Sequence, residues 1–137
     1  MNVLLDTTVL FRIALDTPLK PAGREAFMAA ERHSGLYVSA ISAWELCLLE
    51  KTGRTSRLIG GNGGQFFRDV VAKTSINVVS LDEQMAVESR RLPGDFHNDP
   101  ADRFLVATAR LLNLRLITSD TAILAYANQG HVQAIAC

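Results

Sequence analysis

The sequence has few cysteines, few aromatic residues and no long hydrophobic run. Its two cysteines, Cys47 and Cys137, exclude a disulfide framework and indicate a reducing compartment, so we expect a cytoplasmic protein. No apolar run approaches the ~18 residues that a membrane span needs. The first charged residue is the acid Asp6, which argues against a secretory signal. These absences leave the class of globular proteins, and 137 residues without a linker predict a single domain over 1–137.

An excess of charge of one sign is also missing, because 14 basic residues balance 14 acidic ones. The overall charge therefore does not identify a nucleic-acid-binding protein. Eleven of the basic residues are arginines, however, and the guanidinium group is well shaped for bidentate phosphate contacts. If some of the acids are gathered in one site, the remaining surface is net basic.

Short apolar segments alternate with segments of helical periodicity along the whole chain. The predicted strands are 2–5, 36–39, 76–81, 115–118 and an edge strand at 131–135. The predicted helices cover about 9–14, 22–32, 42–51, 65–73, 82–91, 99–112 and 120–126, with Ser42 as the cap of the third. The Gly- and Arg-rich stretch 52–64 is expected to be a mobile connection. This alternation predicts an α/β layer fold with a mainly parallel central sheet.

Four acidic residues occupy positions that parallel strands would bring to one edge of the sheet. Asp6 directly follows the first strand, Asp120 follows the fourth, and Glu45 lies one turn into the helix after the second. Asp102 lies in the first turn of the helix before the fourth strand. Ligands of open α/β sheets bind beyond the carboxyl ends of the strands, so this edge is the predicted site. The alternative, that these acids serve as helix N-terminal residues, is weakest for Glu45, which shares a helix face with aliphatic residues.

Gathering four carboxylates in one place favours a bound cation. Like charges at close range raise one another's pKa and destabilise the fold unless a cation is present, and no lysine is near any of the four in sequence. The three histidines, His33, His97 and His131, show no zinc-ligand spacing. An all-oxygen site with Thr and Ser beside it suits a hard cation such as Mg²⁺ or Mn²⁺.

Four segments of the chain resemble the successive motifs of PIN-domain proteins, and they are most similar to the VapC-type toxins of type II toxin–antitoxin systems. The segments are Leu4–Leu10 (LLDTTVL), Ser39–Leu46 (SAISAWEL), His97–Ala109 (HNDPADRFLVATA) and Leu116–Asp120 (LITSD). They occur in the family's order and extend over nearly the whole chain. The resemblance implies a Rossmann-like parallel sheet flanked by helices in three layers. It also implies an Mg²⁺- or Mn²⁺-dependent endoribonuclease, a cognate VapB-like antitoxin and a homodimer.

The resemblance assigns roles to individual residues. The family's acidic quartet corresponds to Asp6, Glu45, Asp102 and Asp120. Asp6 and Asp102 would bind the metal directly, and Glu45 and Asp120 directly or through water. Supporting positions correspond to Thr8, Asp99 and Thr118. Arg103 is expected to pack or to pair with Asp99 rather than to bind RNA.

With Asp99 added to the quartet, the acids outside the predicted site number nine against 14 basic residues. Lys51, Arg54 and Arg57, just past the Glu45 helix, are the candidates for RNA phosphate contacts, with a solvated loop as the alternative.

Other functions remain open at this point. A phosphatase of the haloacid dehalogenase type would need a second Asp at position 8, which is Thr8, and a dinucleotide-binding domain would need a GxGxxG turn. A PIN nuclease outside toxin–antitoxin systems and a catalytically silent PIN-like binding module are the two alternatives that the motifs do not separate from a toxin.

Overall fold

The computed structural model describes residues 1–137 and contains one five-stranded sheet, in which every neighbouring pair of strands is parallel. The strands are β1 (Val3–Leu5), β2 (Leu36–Ser39), β3 (Asn77–Val79), β4 (Arg115–Thr118) and β5 (Ala134–Ala136). The helices are α1 (Thr7–Ala14), α2 (Pro21–Glu31), α3 (Ala40–Leu48), α4 (Gly53–Leu58), α5 (Gly63–Lys73), α6 (Glu83–Arg90), α7 (Pro100–Leu112) and α8 (Thr121–Asn128). A 3₁₀ turn (Leu49–Lys51) joins α3 to α4. The predicted α/β three-layer fold is confirmed.

The alternation of side chains along the strands builds a separate core on each face of the sheet. Val3 and Leu5 of β1 belong to one buried cluster, whereas Leu4 between them belongs to the other. The first cluster packs under α1, α3 and α5, and the second packs under α7 and α8. Apolar residues are buried on both faces of the central strands, as expected of a parallel sheet covered by helices.

The strand order, β3-β2-β1-β4-β5, reverses direction at β1. β2, the next strand in the chain, pairs with one edge of β1. β4 pairs with the opposite edge of β1. In open α/β sheets this arrangement leaves a crevice at the carboxyl ends of the two central strands. β1 ends at Leu5 and β4 ends at Thr118, so the crevice opens next to Asp6 and Asp120.

The prediction that Ser42 caps α3 is wrong. The helix begins at Ala40, directly after β2, and the cap is Ser39, whose Oγ accepts the N–H of Ile41 at 3.0 Å. Ser42 therefore lies inside the helix, fully buried. The three-residue difference arises because strand and helix join without a loop, which a sequence pattern does not reveal.

The segment predicted as a mobile connection contains regular structure. Residues 53–58 form the short helix α4, and Ile59 after it is buried in the first core. Gly60 and Gly61 then adopt positive φ angles of 68° and 71°, which glycine tolerates without steric cost. Gly63 has room for no side chain, since a Cβ there would lie 2.3 Å from the carbonyl of Leu46. This close contact packs the start of α5 onto α3.

The other boundaries follow the sequence closely. Pro21 opens α2, and the side chains of Asp82, Asp99 and Asp120 accept backbone N–H groups at the starts of α6, α7 and α8. The two outer strands are shorter than predicted, β3 covering 77–79 and β5 covering 134–136. None of the helices combines the length and apolarity that would be needed to cross a membrane.

Candidate metal centre

The carboxyl ends of β1 and β4 open into a cleft of about 510 Å³. All five predicted acids line it, together with hydroxyl and apolar side chains: Asp6, Thr7, Thr8, Phe11, Glu45, Leu46, Leu48, Leu49, Thr55, Asp99, Asp102, Ser119 and Asp120. No lysine, arginine or histidine lines the cleft. The structure thus brings together acids that are up to 114 positions apart in the sequence, as the parallel topology predicts.

Thr118 connects two of these acids. Its hydroxyl donates to Oδ2 of Asp6 at 2.5 Å and accepts the backbone N–H of Asp120 at 2.9 Å. Thr118 is fully buried and Asp6 is only 6% exposed. The Asp120 carboxylate caps α8 by accepting the N–H of Ile123 at 3.0 Å. Each of the two carboxylates is therefore oriented by at least one hydrogen bond from the protein.

A second pair of hydroxyls holds Glu45. Thr7 donates to Oε1 of Glu45, and its own oxygen lies 2.8 Å from the hydroxyl of the buried Ser42. Because Thr7 has one hydroxyl hydrogen and gives it to Glu45, Ser42 is the donor in the contact between them. This series of hydrogen bonds fixes the Glu45 carboxylate between α1 and α3. It explains why a glutamate is tolerated on a mainly apolar helix.

Burial raises the pKa of Asp6 above its ordinary value, and the hydrogen bond from Thr118 opposes the shift. Burial likewise raises the pKa of Glu45, where the Thr7 hydrogen bond opposes the shift and the charge of Asp6 adds to it. In both residues the loss of hydration outweighs the hydrogen bonds that favour the ionised form.

Asp102 shows the largest perturbation in the cleft. Burial, followed by the negative charges of Asp99, Asp120, Asp6 and Glu45, raises its pKa to about 7. The carboxyl groups are thus close enough to repel one another, and the cleft disfavours the ionised form of Asp102.

This donor set fits a hard divalent cation. The cleft offers carboxylate and hydroxyl oxygens and no sulfur, which is the chemistry preferred by Mg²⁺ and Mn²⁺. No lysine or arginine side chain lines it to neutralise the acids. His97, Asp102 and Asp120 further offer one ligand atom each within 4.8 Å of one another. A divalent cation would relieve the repulsion that raises the Asp102 pKa.

The three supporting residues predicted from the sequence differ in their contacts with the acids of the cleft. Thr118 and Asp99 lie at the cleft, Thr118 bound to Asp6 and Asp99 at the start of α7. Thr8 lines the cleft but is exposed, and its hydroxyl makes no hydrogen bond to an acid. The preceding residue, Thr7, makes that contact instead. The sequence places two threonines in a row after Asp6, and only the direction of α1 determines which one faces Glu45.

Lys51, Arg54 and Arg57 are exposed around α4 and do not line the cleft. Thr55, which lies between the two arginines, does line it. The three basic residues are therefore exposed on the segment that contributes Thr55 to the cleft, but they are not part of its lining.

The structure also shows contacts that the sequence did not indicate. Arg103 is buried and does not pair with Asp99; it donates to the carbonyl oxygens of Ser89 at 2.7 Å, Phe96 at 2.8 Å and His97 at 3.0 Å. Nε2 of His97 lies 3.2 Å from Oδ2 of Asp102. The spacing of five residues between His97 and Asp102 was visible in the sequence, but the loop geometry that joins them was not.

Comparison with known proteins places the chain in a family. A model of the PIN domain matches residues 3–129. The sequence has no match among curated proteins. The fold is similar to that of DNA-bound VapBC from Salmonella typhimurium, with a TM-score of 0.68, 15% identity and coverage of 99% of this chain and 98% of that chain.

Two further solved structures show the same likeness. FitAcB from Neisseria gonorrhoeae has a TM-score of 0.61 and 22% identity, covering 97% of this chain and 96% of that one. A toxin–antitoxin complex from Klebsiella pneumoniae has a TM-score of 0.57 and 24% identity, covering 88% of both chains. At these identities the likeness establishes the fold alone. The family-model match extends over nearly the whole chain, and this chain therefore belongs to the PIN domain family.

Proposed function

We propose that this chain is a metal-dependent endoribonuclease and the toxin of a toxin–antitoxin pair. The observation that carries the proposal is the cleft itself, which five carboxylates line without a lysine or an arginine. An uncompensated acidic cluster of this kind destabilises a fold, so its presence favours a role that needs a bound cation. The substrate class, RNA, follows from the family and from the net basic surface outside the cleft.

The proposed roles follow from how each carboxylate is held. Asp6 and Asp102 would hold Mg²⁺ or Mn²⁺ directly, and Glu45 and Asp120 would hold it directly or through water. A divalent cation held there would supply positive charge for the phosphodiester transition state and would lower the pKa of a water. Thr118 and Thr7 fix the Asp6 and Glu45 carboxylates before substrate arrives, so little reorganisation is needed in the reaction.

The RNA backbone would approach over α4. Lys51, Arg54 and Arg57 are exposed on the segment around α4, where phosphate contacts would position a strand without reading its sequence. The acids of the cleft repel phosphate, so the basic residues of this segment and a bound cation together make this approach favourable.

The proposed partners are a VapB-like antitoxin and a second copy of the chain. Several of the solved structures that the fold resembles are VapBC or toxin–antitoxin complexes. Trp44 and Leu48 lie one turn apart on α3 and are 48% and 59% exposed. Leu48 also lines the cleft, as does Glu45, the residue after Trp44. A homodimer formed through this helix would cover these apolar side chains. We also propose that the protein acts in the cytoplasm.

The test is cleavage of total RNA by the purified chain with Mg²⁺, with Mn²⁺ and with EDTA, mapped by sequencing of the new ends. We expect metal-dependent cleavage that Asp6→Asn abolishes. Asp16→Asn, a change at an exposed acid outside the cleft, is the matched control and should cleave like the parent.

Absence of cleavage by the folded parent in either metal would contradict the proposed nuclease activity and favour a binding module. The toxin role has its own test, since expression of the chain alone should arrest growth and co-expression of its antitoxin should restore it. Asp102→Asn should abolish the arrest.

A further inference from the structure

We infer that His97 is a positioning residue for Asp102: its Nε2–H holds one carboxylate oxygen and leaves the other free for a divalent cation. The inference rests on the proposed function, because it assigns Asp102 to the metal. Nε2 of His97 lies 3.2 Å from Oδ2 of Asp102, close enough for the two side chains to interact directly. The histidine is not among the residues that line the cleft, and one of its ring nitrogens also lies within 4.8 Å of a carboxylate oxygen of Asp120.

The backbone determines which nitrogen of His97 carries the hydrogen. Nδ1 of His97 accepts the backbone N–H of Asp99 at 3.2 Å, so in the neutral ring the hydrogen is on Nε2. A metal ligand at Nε2 would need the hydrogen on Nδ1, where it would face the Asp99 N–H. The local geometry therefore favours His97 as a donor to Asp102 over His97 as a metal ligand.

The imidazole ring is held from two further directions. It stacks on Phe96, with ring centroids 4.3 Å apart and planes inclined by 29°. Arg103 donates to the carbonyl oxygens of both Phe96 and His97. Because Arg103 follows Asp102 directly on α7, the helix that carries the carboxylate also anchors the loop that carries its donor. The distance between ring and carboxylate is thereby fixed by the protein.

A hydrogen-bond donor in this position would offset the negative charge that surrounds Asp102. Asp102 is the acid whose environment contains the most negative charge, with Asp99, Asp120, Asp6 and Glu45 all acting on it. Without a partner its carboxyl group is free to rotate away from its neighbours. Residues that hold a ligand's second oxygen orient the ligand, and their loss usually weakens metal binding by about 10–100-fold.

The experiment measures Mn²⁺ binding by isothermal titration calorimetry for the parent, His97→Ala and His97→Gln, the latter retaining an N–H donor. His33→Ala is the matched control, because His33 is exposed at the opposite end of β2. We expect the Mn²⁺ Kd of His97→Ala to rise by about 10-fold or more, with His97→Gln restoring most of the affinity and His33→Ala leaving it unchanged. Melting temperatures without metal check that all four proteins fold.

A second measurement determines which ring nitrogen of His97 carries the hydrogen. Nitrogen-15 NMR of the histidine side chains in the metal-free protein should show His97 with its hydrogen on Nε2. The inference is overturned if His97→Ala binds Mn²⁺ as tightly as the parent, if His97→Gln fails to restore binding, or if the hydrogen is on Nδ1. Failure of the proposed function looks different, since the parent itself would then bind no Mn²⁺ or cleave no RNA.

Discussion

Thr118 joins Asp6 to Asp120, donating its hydroxyl to one and accepting the backbone N–H of the other. The two acids belong to the ends of adjacent central strands, so one buried hydroxyl spans the crevice between them. A valine of the same shape would fill the space but would leave both polar partners without a hydrogen bond.

We therefore predict that Thr118→Val lowers the free energy of unfolding by about 1–3 kcal/mol, because a buried carboxylate oxygen and a backbone N–H lose their partner. Urea unfolding checks the stability, and Mn²⁺ titration should show weaker binding. Thr108→Val is the matched control: Thr108 is also fully buried, but its hydroxyl only adds a bond to the carbonyl of Phe104 within α7. Equal destabilisation by both variants would contradict the role given to Thr118.

The raised pKa of Asp102 predicts how stability depends on pH. Its pKa is about 7 in the folded protein and about 3.8 in the unfolded chain, so the folded state binds more protons between these values. The contribution to stability is complete below about pH 4 and is lost as the pH rises through 7. The raised pKa values of Asp6 and Glu45 act in the same direction.

The measurement is urea unfolding in EDTA between pH 5 and 8, where the parent should become less stable as the pH rises. Asp102→Asn removes the titrating group, so it should flatten this dependence and raise the metal-free stability at pH 8 by at least about 1 kcal/mol. A parent protein that gains stability across this range would refute the assignment.

Divalent cations should reverse this loss. A cation that binds only the folded protein stabilises it by RT ln(1 + [L]/Kd), about 2.7 kcal/mol at one hundred times Kd. The increase in melting temperature with millimolar Mn²⁺ should be larger at pH 8 than at pH 6, because Asp102 must lose its proton to bind metal. Asp6→Asn should reduce the shift, and an equal shift in parent and variant would argue against a metal site at Asp6.

The proposed homodimer makes a prediction about α3. Leu48 is the most exposed large apolar side chain and lies next to the cleft. Light scattering should report twice the 15.0 kDa mass of the chain at micromolar concentration, and Leu48→Lys should restore the single mass because a charge at a packed apolar surface is costly. Val87→Lys, at another exposed apolar residue on α6, is the control. A parent of 15.0 kDa would refute the dimer.

Much of this molecule was predictable because strong local signals agree with the topology. The apolar segments that become β1, β2 and β4 are buried on both faces, and the acids follow them at fixed offsets, so a parallel sheet alone gathers Asp6, Glu45 and Asp120. The N-caps Asp82, Asp99 and Asp120 were visible for the same reason, since capping depends on a few adjacent residues.

The parts that escaped prediction depend on contacts between distant segments. Thr7 rather than Thr8 holds Glu45 because of the angle at which α1 leaves β1. Arg103 donates to three carbonyl oxygens instead of pairing with a carboxylate, because the end of α6 and the loop before α7 both pack against it. Neither the path of a loop nor the rotation of a helix about its axis is encoded in a local pattern.

The hydrogen bond between Asp6 and Thr118 spans 112 positions of the chain, and it has a consequence for synthesis. During translation the amino-terminal half emerges first, with β1, β2 and the Glu45 helix but without Asp102 or Asp120. Contacts this distant in sequence form late, after the costly closure of long loops. A ribosome-bound chain that has not yet exposed β4 carries an incomplete cleft, so any hydrolytic activity of this protein begins only after β4 and Asp120 have emerged.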